Sequence, residues 1–288
     1  MFEKATMLYM YAETPMHPGS GAIVNSPVDL PIQRERHTEY PIIQGSSLKG
    51  VLRGIAKNVD FTEEDIKRLF GPEKGNDAAG AIAVTDGKIL AFPVRTLIGA
   101  FGWVTCPLVL SRFKRDLNIA GFGAEWSIPQ IADTSAIVSA NSGAKIKNFI
   151  YIEDLKLSVD VSKNISIDIV TAIQSALPDE GIYQFVKDKM KNDLIVVNDT
   201  VFKDLIKYTT EVTARIKIDP ETGTVAKNAL FYEEYLPTDT LMYALILYTK
   251  RFTNEDYEKL KNFNGKIIQI GGNETIGRGF TRVKVVTP

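Results

Sequence analysis

The chain has 288 residues, of which 44% are hydrophobic, with a formal net charge of −1 and one cysteine. A near-neutral charge excludes a uniformly basic surface, so any binding of nucleic acid must use segregated charge. The single cysteine excludes an intrachain disulfide framework. Cys106 precedes a proline within an apolar run, which predicts a buried, inert thiol.

Membrane and export signals are not expected. The longest apolar run, residues 97–110, contains three helix breakers and is shorter than the roughly 20 residues that a spanning helix needs. The N-terminus begins with a strand-like stretch and not with a signal peptide. We therefore expect a soluble, cytoplasmic protein with no membrane partner.

The N-terminal third is predicted to contain strands and two helices. Residues 5–13 are apolar and aromatic, which is typical of a buried strand. The helices are expected to begin at about Ser46, with Ser46 or Ser47 as N-cap, and at Thr62, where acidic residues follow. Further extended pieces are predicted over residues 39–44 and 80–94, the latter as two strands around an Asp86-Gly87 turn.

The rest of the chain is irregular at first and then strongly patterned. Residues 99–105 are predicted as extended and 107–117 as helical, whereas 121–200 has weak periodicity and is interpreted as insertions with one or two helices. Residues 211–219 and 224–236 flank a Pro-Glu-Thr-Gly turn and indicate a hairpin. The last predicted elements are strands at 241–248, 266–270 and 280–286, with a helix from Thr253.

These elements predict an α+β fold. The first and last blocks are each strand–helix–strand, and two such halves build a ferredoxin-like (RRM-like) sheet. We expect a single domain over residues 1–288, with an insertion region at 112–200 and a protruding hairpin at 205–238. Because a two-stranded ribbon with one apolar face is marginally stable by itself, the hairpin is expected to contact another molecule.

Residues 17–54 are the segment most indicative of function. A long connection in a compact domain is usually functional or disordered, and the apolar anchors Ile23, Val24 and Ile32 argue against disorder. The segment holds two candidates for acid or base chemistry, His17 and Asp29. A lone histidine or loop carboxylate is more often structural, and no metal-ligand motif accompanies them. Their role therefore stays open on the residues alone, as does that of the neighbouring Glu35, His37 and Glu39.

Three basic residues follow on the predicted helix. Lys49, Arg53 and Lys57 are four apart and form one stripe about 80° wide. A helix N-terminus favours anions through its free N–H groups and its dipole, so the stripe suits a phosphate backbone. A solvated basic face explains the same spacing equally well.

The C-terminal loop IGGNETIGRG is larger than a simple hairpin requires. It is not a P-loop, because an arginine replaces the lysine and a strand follows where a helix should. Glycines that expose backbone N–H groups beside an arginine suit a sugar–phosphate backbone, and a flexible hairpin is the alternative. The candidate RNA-binding residues here and on the polar face of the 211–236 hairpin are Gly271, Gly272, Gly277, Arg278, Gly279, Arg215 and Lys217.

Together these segments resemble the RAMP (repeat-associated mysterious protein) superfamily. More narrowly, the chain is similar to the backbone subunits of the type III-B CRISPR effector, the Cmr complex. The matching stretches occur in order along the chain: HPGSG at 17–21, VDLPIQRERHTEYPIIQGSSLKGVLR at 28–53, ILAFPVRTLIGAFGWVTCP at 89–107, RIKIDPETGTV at 215–225, EEYLP at 233–237 and GGNETIGRG at 271–279.

The resemblance implies a protomer that stacks with copies of itself and with other Cmr subunits along CRISPR RNA. It places guide binding on Lys49, Arg53 and Arg278, and it makes the hairpin a thumb that wedges into the guide–target duplex. It makes Asp29 the residue that cleaves target RNA at regular intervals, with a divalent metal (Mg²⁺ or Mn²⁺), and His17 an accessory residue. The implied activity is that of a metal-dependent endoribonuclease in antiviral defence.

Two alternatives to this interpretation remain within the same fold. One is a non-catalytic RNA scaffold, in which Asp29 only shapes its loop. The other is a stand-alone endoribonuclease that processes the guide with His17 as general base. The first predicts RNA binding without cleavage, and the second predicts metal-independent cutting of repeat RNA by the monomer. A metabolic phosphate-binding enzyme is a more distant reading, because no cofactor fingerprint is present.

Overall fold

The computed structural model describes residues 2, 4–21, 27–72 and 79–288, with the side chains of 226–228 left aside. Two of the predicted loop anchors, Ile23 and Val24, lie outside the described residues. The third, Ile32, is buried, as expected. The structure has an α+β architecture, with one large mixed sheet, helices against it and a separate two-stranded hairpin.

The strands of the large sheet run from one end of the chain to the other. They are β1 (Lys4–Ala12), β2 (Ile42–Ile43), β3 (Ile82–Val84), β4 (Gly87–Arg95), β5 (Phe101–Thr105), β6 (Ser135–Val138), β7 (Lys145–Ile146), β8 (Phe149–Ile152), β9 (Leu155–Val159), β10 (Leu194–Val197), β13 (Leu241–Tyr248), β14 (Ile267–Gln269) and β15 (Phe280–Val286). The hairpin consists of β11 (Glu211–Ile218) and β12 (Val225–Tyr235).

The helices fall between these strands. They are α1 (Gly45–Ala56), α2 (Glu63–Phe70), α3 (Pro107–Ile119), α4 (Ile167–Ser175), α5 (Gln184–Asp193), α6 (Asp199–Tyr208) and α7 (Asn254–Leu260). Thr62 and Thr253 cap α2 and α7 through capping boxes with Asp65 and Asp256, so both predicted helix starts are confirmed.

The centre of the sheet has the strand order β15–β1–β13–β4, with every neighbouring pair antiparallel. This arrangement is consistent with the predicted ferredoxin-like core. The two faces are covered by different helices. Phe113 of α3 packs edge-on against Tyr9, whereas Leu48 of α1 and Met10 both approach Gly87. Because Tyr9 and Met10 are adjacent on β1, they point to opposite faces, and β1 is apolar on both.

The predicted turn at Asp86-Gly87 is wrong. β3 and β4 do not pair with each other, but both pair with β13, at Ile246–Tyr248 and Leu241–Tyr243 respectively. They therefore form one strand interrupted by a bulge. Asp86 instead accepts a hydrogen bond from the backbone N–H of Gly45 at 2.7 Å. This bond caps α1, whose N-cap residue Gln44 makes no side-chain cap bond, so the predicted Ser46 or Ser47 cap is also wrong.

The weakly patterned region 121–200 is richer in strands than predicted. It contains α4 and α5, as expected, but also β6 to β10, which extend the large sheet beyond β5 in the order β10, β6, β9, β8, β7. These strands have two to five residues each, too short for an alternation of apolar and polar side chains to be evident. The domain limits at 112–200 and 205–238 stay predictions.

The hairpin stands apart from the large sheet as a sheet of two strands. Its register places Val212, Ile216 and Ile218 opposite residues 234, 230 and 225, on one face. The apolar side chains of that face are about half exposed: Val212, Ile216, Ile218, Val225, Leu230 and Tyr232. The expectation that the hairpin contacts another molecule stays a prediction, and the half-exposed apolar face is consistent with it.

Two composition-based expectations can be compared with the structure. In the described part of the chain, no helix combines the length and the apolar character that crossing a membrane requires. Cys106 is a free, fully buried thiol, and burial raises its pKa far above the ordinary range. It is therefore inert as a nucleophile, as predicted.

Candidate functional site

Asp29 lies beside the base of the hairpin. Its Oδ2 accepts a hydrogen bond from the backbone N–H of Tyr232 at 2.8 Å, and the side chain is exposed. The next residue, Leu30, donates its N–H to the Tyr232 carbonyl and forms a parallel bridge with Glu233. The return strand of the hairpin therefore carries the segment that presents Asp29 to solvent.

His17 is a buried connecting residue. Its side chain is 8% exposed, and its Nδ1 lies 2.7 Å from the carbonyl oxygen of Glu234, which can only accept, so Nδ1 carries the proton. Its carbonyl accepts from the N–H of Gly272 at 2.9 Å. His17 thus joins the HPGSG segment, the hairpin base and the glycine-rich loop.

Glu233 is the centre of a polar cluster at the hairpin base. Its carboxylate accepts hydrogen bonds from Arg215 at 2.5 Å, Tyr235 at 2.7 Å and Asn273 at 3.0 Å. Burial opposes ionisation of this carboxyl, but these three donors outweigh burial and lower its pKa. The pKa of Arg215 is raised by the same contact. Arg215 is therefore held at the base of the hairpin.

Arg278 approaches the same cluster from the glycine-rich loop. Its guanidinium carbon lies 4.8 Å from the centroid of the Tyr235 ring, and the His17 ring lies 5.6 Å from that centroid. A guanidinium at this distance from a ring is held by a cation–π contact. Burial, and then the bond to Glu233, raise the pKa of Tyr235. Tyr235 therefore stays protonated and links both segments.

The glycines of the loop are required by close packing. A Cβ at Gly271 would lie 2.2 Å from the carbonyl oxygen of His17, and one at Gly279 would lie 2.2 Å from that of Ile270, with positive φ at both. The N–H groups of Gly272, Gly277 and Gly279 donate to carbonyls of the chain itself. These three N–H groups are therefore already bonded within the chain, whereas the Arg278 side chain keeps donors for a phosphate. That the loop binds a sugar–phosphate backbone stays a prediction.

A cavity of about 310 Å³ adjoins the site. Its walls come from the HPGSG segment, the glycine-rich loop and the first turns of α1, and include His17, Gly19, Ser47, Val51, Gly271 and Gly272. Because α1 turns by about 100° per residue, Lys49 lies roughly 160° away from Ser47 around the helix. The cavity and the basic stripe are therefore on different sides of α1.

The basic stripe makes contacts within the chain. Lys49 Nζ donates to the carbonyl oxygen of Ile82 at 3.0 Å, Arg53 donates to that of Gly71, and Lys57 pairs with Glu63. Burial, and then the charge of Arg53, lower the pKa of Lys49. An ammonium has three donors, so Lys49 keeps donors for a phosphate. Lys217 is exposed on β11, on the side of Arg215 that leads toward the tip of the hairpin.

The remaining candidates of the 17–54 segment serve its packing. Glu35 accepts from both Thr38 and Arg112, and these bonds outweigh its burial and lower its pKa. Glu39 accepts from Lys207 at 2.9 Å. His37 is largely exposed at the edge of the Glu35–Arg112 pair. These three side chains face α3 and α6 and not Asp29.

A metal site made by the protein alone does not form here. Among the residues that the structure describes, no group of three or more His, Cys, Asp or Glu side chains could hold an ion. Asp29 offers a single carboxylate with one oxygen already bonded to Tyr232. One carboxylate fits a Mg²⁺ ion that takes its other ligands from phosphate oxygens and water.

Sequence reasoning missed Asn273 and the separate roles of Glu233 and Glu234. Asn273 donates to Glu233 and accepts from Arg215 at 2.9 Å, although it is 40 residues from the first in sequence. The Glu-Glu-Tyr run of the return strand could have predicted two separate roles, because adjacent side chains on a strand point to opposite faces. Only the paired strand reveals which partner each one meets.

Comparison with known proteins identifies the family. The sequence profile of the RAMP superfamily matches residues 9–282. The chain is 46% identical to the "CRISPR system Cmr endoribonuclease Cmr4" of Pyrococcus furiosus, over 97% of this chain and 95% of that protein. It is 25% identical to the "CRISPR system CMR subunit Cmr4" of Saccharolobus solfataricus, over 96% and 94% of the two chains.

Solved structures give the same result. Oligomeric Cmr4 from Pyrococcus furiosus superposes with a TM-score of 0.77 at 38% identity and covers 99% of this chain and 100% of its own. A chain of a type III-B Cmr-beta complex bound to cognate target RNA superposes with a TM-score of 0.76, over 99% and 98% of the chains. At 21% identity, the second likeness shows the fold alone.

Proposed function

This chain belongs to the RAMP superfamily, and on that premise we propose that it is the backbone subunit of a type III-B CRISPR effector. In this role it binds CRISPR RNA and cleaves complementary target RNA at regular intervals. The observation that carries the proposal is the 46% identity, over 97% of the chain, to a protein named as the Cmr endoribonuclease. The exposed carboxylate of Asp29 at the hairpin base supports the proposal that Asp29 carries that activity.

The partners follow from the surfaces. The apolar hairpin face is left uncovered by the chain, and the solved relative at 38% identity is described as oligomeric. We propose that copies of this chain stack along the guide RNA, joined by other Cmr subunits, with the hairpin as a thumb in the guide–target duplex. The buried thiol and the lack of cysteine pairs support the reducing cytoplasm as the compartment.

The proposed chemistry requires mainly positioning. A phosphodiester of RNA is cut when its own 2′-oxygen attacks phosphorus, the hydroxyl proton passes to a base and the 5′-oxygen leaves in line. Asp29 is exposed and fixed at one oxygen, so its other oxygen is placed to accept or orient that proton. Asp29 would be the residue that holds a divalent metal, and such a metal would supply neutralisation of the charge that develops on the phosphate.

His17 fits an accessory role better than that of a general base. Its imidazole is buried and its Nδ1 proton is committed to the Glu234 carbonyl. This arrangement disfavours the stand-alone guide-processing alternative, which needs an accessible imidazole. The non-catalytic scaffold makes a different prediction, namely that Asp29 can be replaced without loss of function.

The test is cleavage of a guide-matched RNA by the reconstituted complex. We expect Asp29→Ala to lower the cleavage rate by about 10² to 10⁴-fold, the usual range for a positioned acid or base group, while guide binding persists. Asp154→Ala, in the exposed turn between β8 and β9, is the matched control and should cleave normally. Cuts that persist in Asp29→Ala would move catalysis to another residue or another subunit, and cuts that persist in chelator would exclude the metal.

A further inference from the structure

We propose that Glu234 is the positioning residue that holds the Asp29 segment in register with the return strand of the thumb. The inference rests on the proposed function, since it assigns the side chain that places the cutting carboxylate. Glu234 is 6% exposed, and its carboxylate faces the 29–34 segment, whereas that of Glu233 faces Arg215 and Asn273.

The Glu234 carboxylate collects three donors from separate parts of the chain. Oε1 accepts from Arg34 Nη2 at 2.5 Å and from the Thr210 hydroxyl at 2.8 Å, and Oε2 accepts from the backbone N–H of Ile32 at 3.0 Å. All of its hydrogen bonds therefore point to the 29–34 segment or to the start of the thumb. A buried carboxylate with these partners contributes to a fixed geometry more than to net stability.

The backbone of Glu234 holds the same segment from a second side. Its N–H donates to the carbonyl of Leu30 at 3.0 Å, and its carbonyl accepts from His17 Nδ1. The Leu30 N–H in turn donates to Tyr232. Residues 29–34 therefore meet β12 at one parallel bridge, Leu30 to Glu233, with Tyr232 bonded to Asp29 on one side of it and the Glu234 side chain bonded to Ile32 and Arg34 on the other.

Asp29 depends on this anchor because it has little support of its own. Among the described residues its carboxylate has one hydrogen-bond donor, the N–H of Tyr232, and the side chain is exposed. A shift of one residue between the 29–34 segment and β12 would turn Asp29 to the other face. The bond from the Ile32 N–H to Glu234 Oε2 opposes that shift.

Replacement of Glu234 by glutamine should loosen the segment without unfolding the chain. The amide nitrogen of glutamine donates and cannot accept a hydrogen bond. At one of the two carboxylate positions, a hydrogen bond would therefore be replaced by two donors that oppose each other. Arg34 would stay anchored, because it also donates to the carbonyls of Glu39 at 2.9 Å and Ile206 at 3.1 Å. The middle of the segment also keeps its backbone bonds to the HPGSG stretch, from Gln33 N–H to Pro18 at 2.8 Å and from Ser20 N–H to Pro31 at 3.0 Å. The substitution therefore removes side-chain bonds that tie this segment to the return strand and leaves the rest of the fold supported.

Asp193→Asn is the matched control. Asp193 is also a buried carboxylate that accepts from a cation (Lys189, 2.7 Å), a hydroxyl (Ser142, 3.2 Å) and a backbone N–H (Gly143, 3.2 Å). It lies at the end of α5, and neither Asp193 nor these three partners belongs to the thumb or to the 29–34 segment. Asp193→Asn measures the effect of disrupting any buried carboxylate with three donors. Glu234→Gln measures the effect of disrupting the one that contacts the Asp29 segment.

The experiment measures single-turnover cleavage, guide affinity and amide hydrogen exchange in the reconstituted complex. For Glu234→Gln we expect cleavage about 10²-fold slower, the effect of misplacing a reacting group by about 1 Å, with guide affinity unchanged. Exchange should accelerate in residues 27–34 and not in the large sheet. Added to Asp29→Ala, the substitution should cause no further loss of cleavage.

The outcomes separate the two proposals. If Asp29→Ala cleaves normally, the proposed role of Asp29 is wrong; if Asp29→Ala is inactive and Glu234→Gln is normal, only the positioning inference is wrong. An equal loss in Asp193→Asn would also overturn the inference. If hydrogen exchange rises throughout the Glu234→Gln protein, that variant has lost stability in general, and Thr210→Val is used in its place. Thr210→Val removes only one donor to the carboxylate and should still slow cleavage. Normal cleavage in Thr210→Val would overturn the inference.

Discussion

β13 and β11 are both strands of eight residues rich in Ile, Val and Leu, yet they end in opposite environments. β13 is apolar at almost every position and is buried on both faces. β11 alternates, and its apolar side chains, such as Ile216, remain about half exposed. The pattern of apolar and polar residues along a strand therefore indicates whether one or both faces will be buried. It does not indicate whether the burying surface belongs to this chain or to a partner.

The base of the hairpin is buried like the core, whereas the outer part of the same hairpin is exposed. At the base, Glu233, Glu234 and Tyr235 are buried and fully engaged. Beyond Phe231, the apolar side chains that the structure describes, such as Ile216 and Leu230, remain about half exposed. One hairpin thus combines a fixed end, which presents Asp29, with a free end, whose apolar face is available to a partner.

The largest contrast is expected from the same substitution in the two strands. Ile246→Ala, at a fully buried position of β13, should lower the free energy of unfolding by about 2 to 5 kcal/mol. Ile216→Ala, at a position 52% exposed, should change it by less than about 0.5 kcal/mol. Urea unfolding of the isolated monomer measures both, and equal losses would contradict the contrast.

A smaller effect is expected at the ion cluster that ties α2 to α7. Burial opposes ionisation of Asp65, but hydrogen bonds from Lys259 and Thr62 lower its pKa to about 2. A depressed pKa stabilises the fold above the unfolded pKa of about 4, and that contribution is lost as the pH falls toward 2. Asp65→Asn should therefore cost about 1 to 2 kcal/mol at pH 7 and progressively less in acid.

The hairpin offers the control for this measurement. Glu221 is an exposed carboxylate at the tip, and Glu221→Gln should leave stability unchanged at every pH. Thermal unfolding between pH 2 and pH 7 tests the pair. A cost of Asp65→Asn that does not shrink in acid would show that the effect is steric and not electrostatic.

A modest effect is expected for the basic stripe. Lys49→Ala should weaken guide binding for all sequences alike and flatten the salt dependence by about 0.7, the value for one phosphate on a single strand. Titrations of guide RNA at several salt concentrations measure the slope. Lys217→Ala on the thumb arm is the comparison, and an equal change there would mean that the two surfaces contact the guide alike.

The smallest effect on stability is expected at the thumb tip. Replacing residues 219–224 by an Asn-Gly turn should leave the free energy of unfolding and guide affinity nearly unchanged, because the tip is exposed. The spacing of the cuts should nevertheless be disturbed. An unchanged cleavage pattern on a long matched RNA would remove the thumb assignment.

Local signals predicted the parts of the fold that depend on few neighbours. β13 was predicted with its observed limits, and the α2 and α7 starts followed from threonines three residues before an aspartate. The start of α1 was misplaced because its cap, Asp86, is 41 residues away in sequence. The short strands of the 121–200 region were missed because each depends on a neighbouring strand for its stability.

The same division applies to the candidate site. The amino-acid sequence by itself determined the composition, the alternating hairpin, the glycine-rich loop and the family. Only the tertiary structure decided that Asp29 bonds to Tyr232, 203 residues later, that His17 is buried, and that Lys49 faces away from the cavity. Periodicity and capping act over a few residues, whereas a site made of segments hundreds of residues apart exists only after the sheet has brought them together.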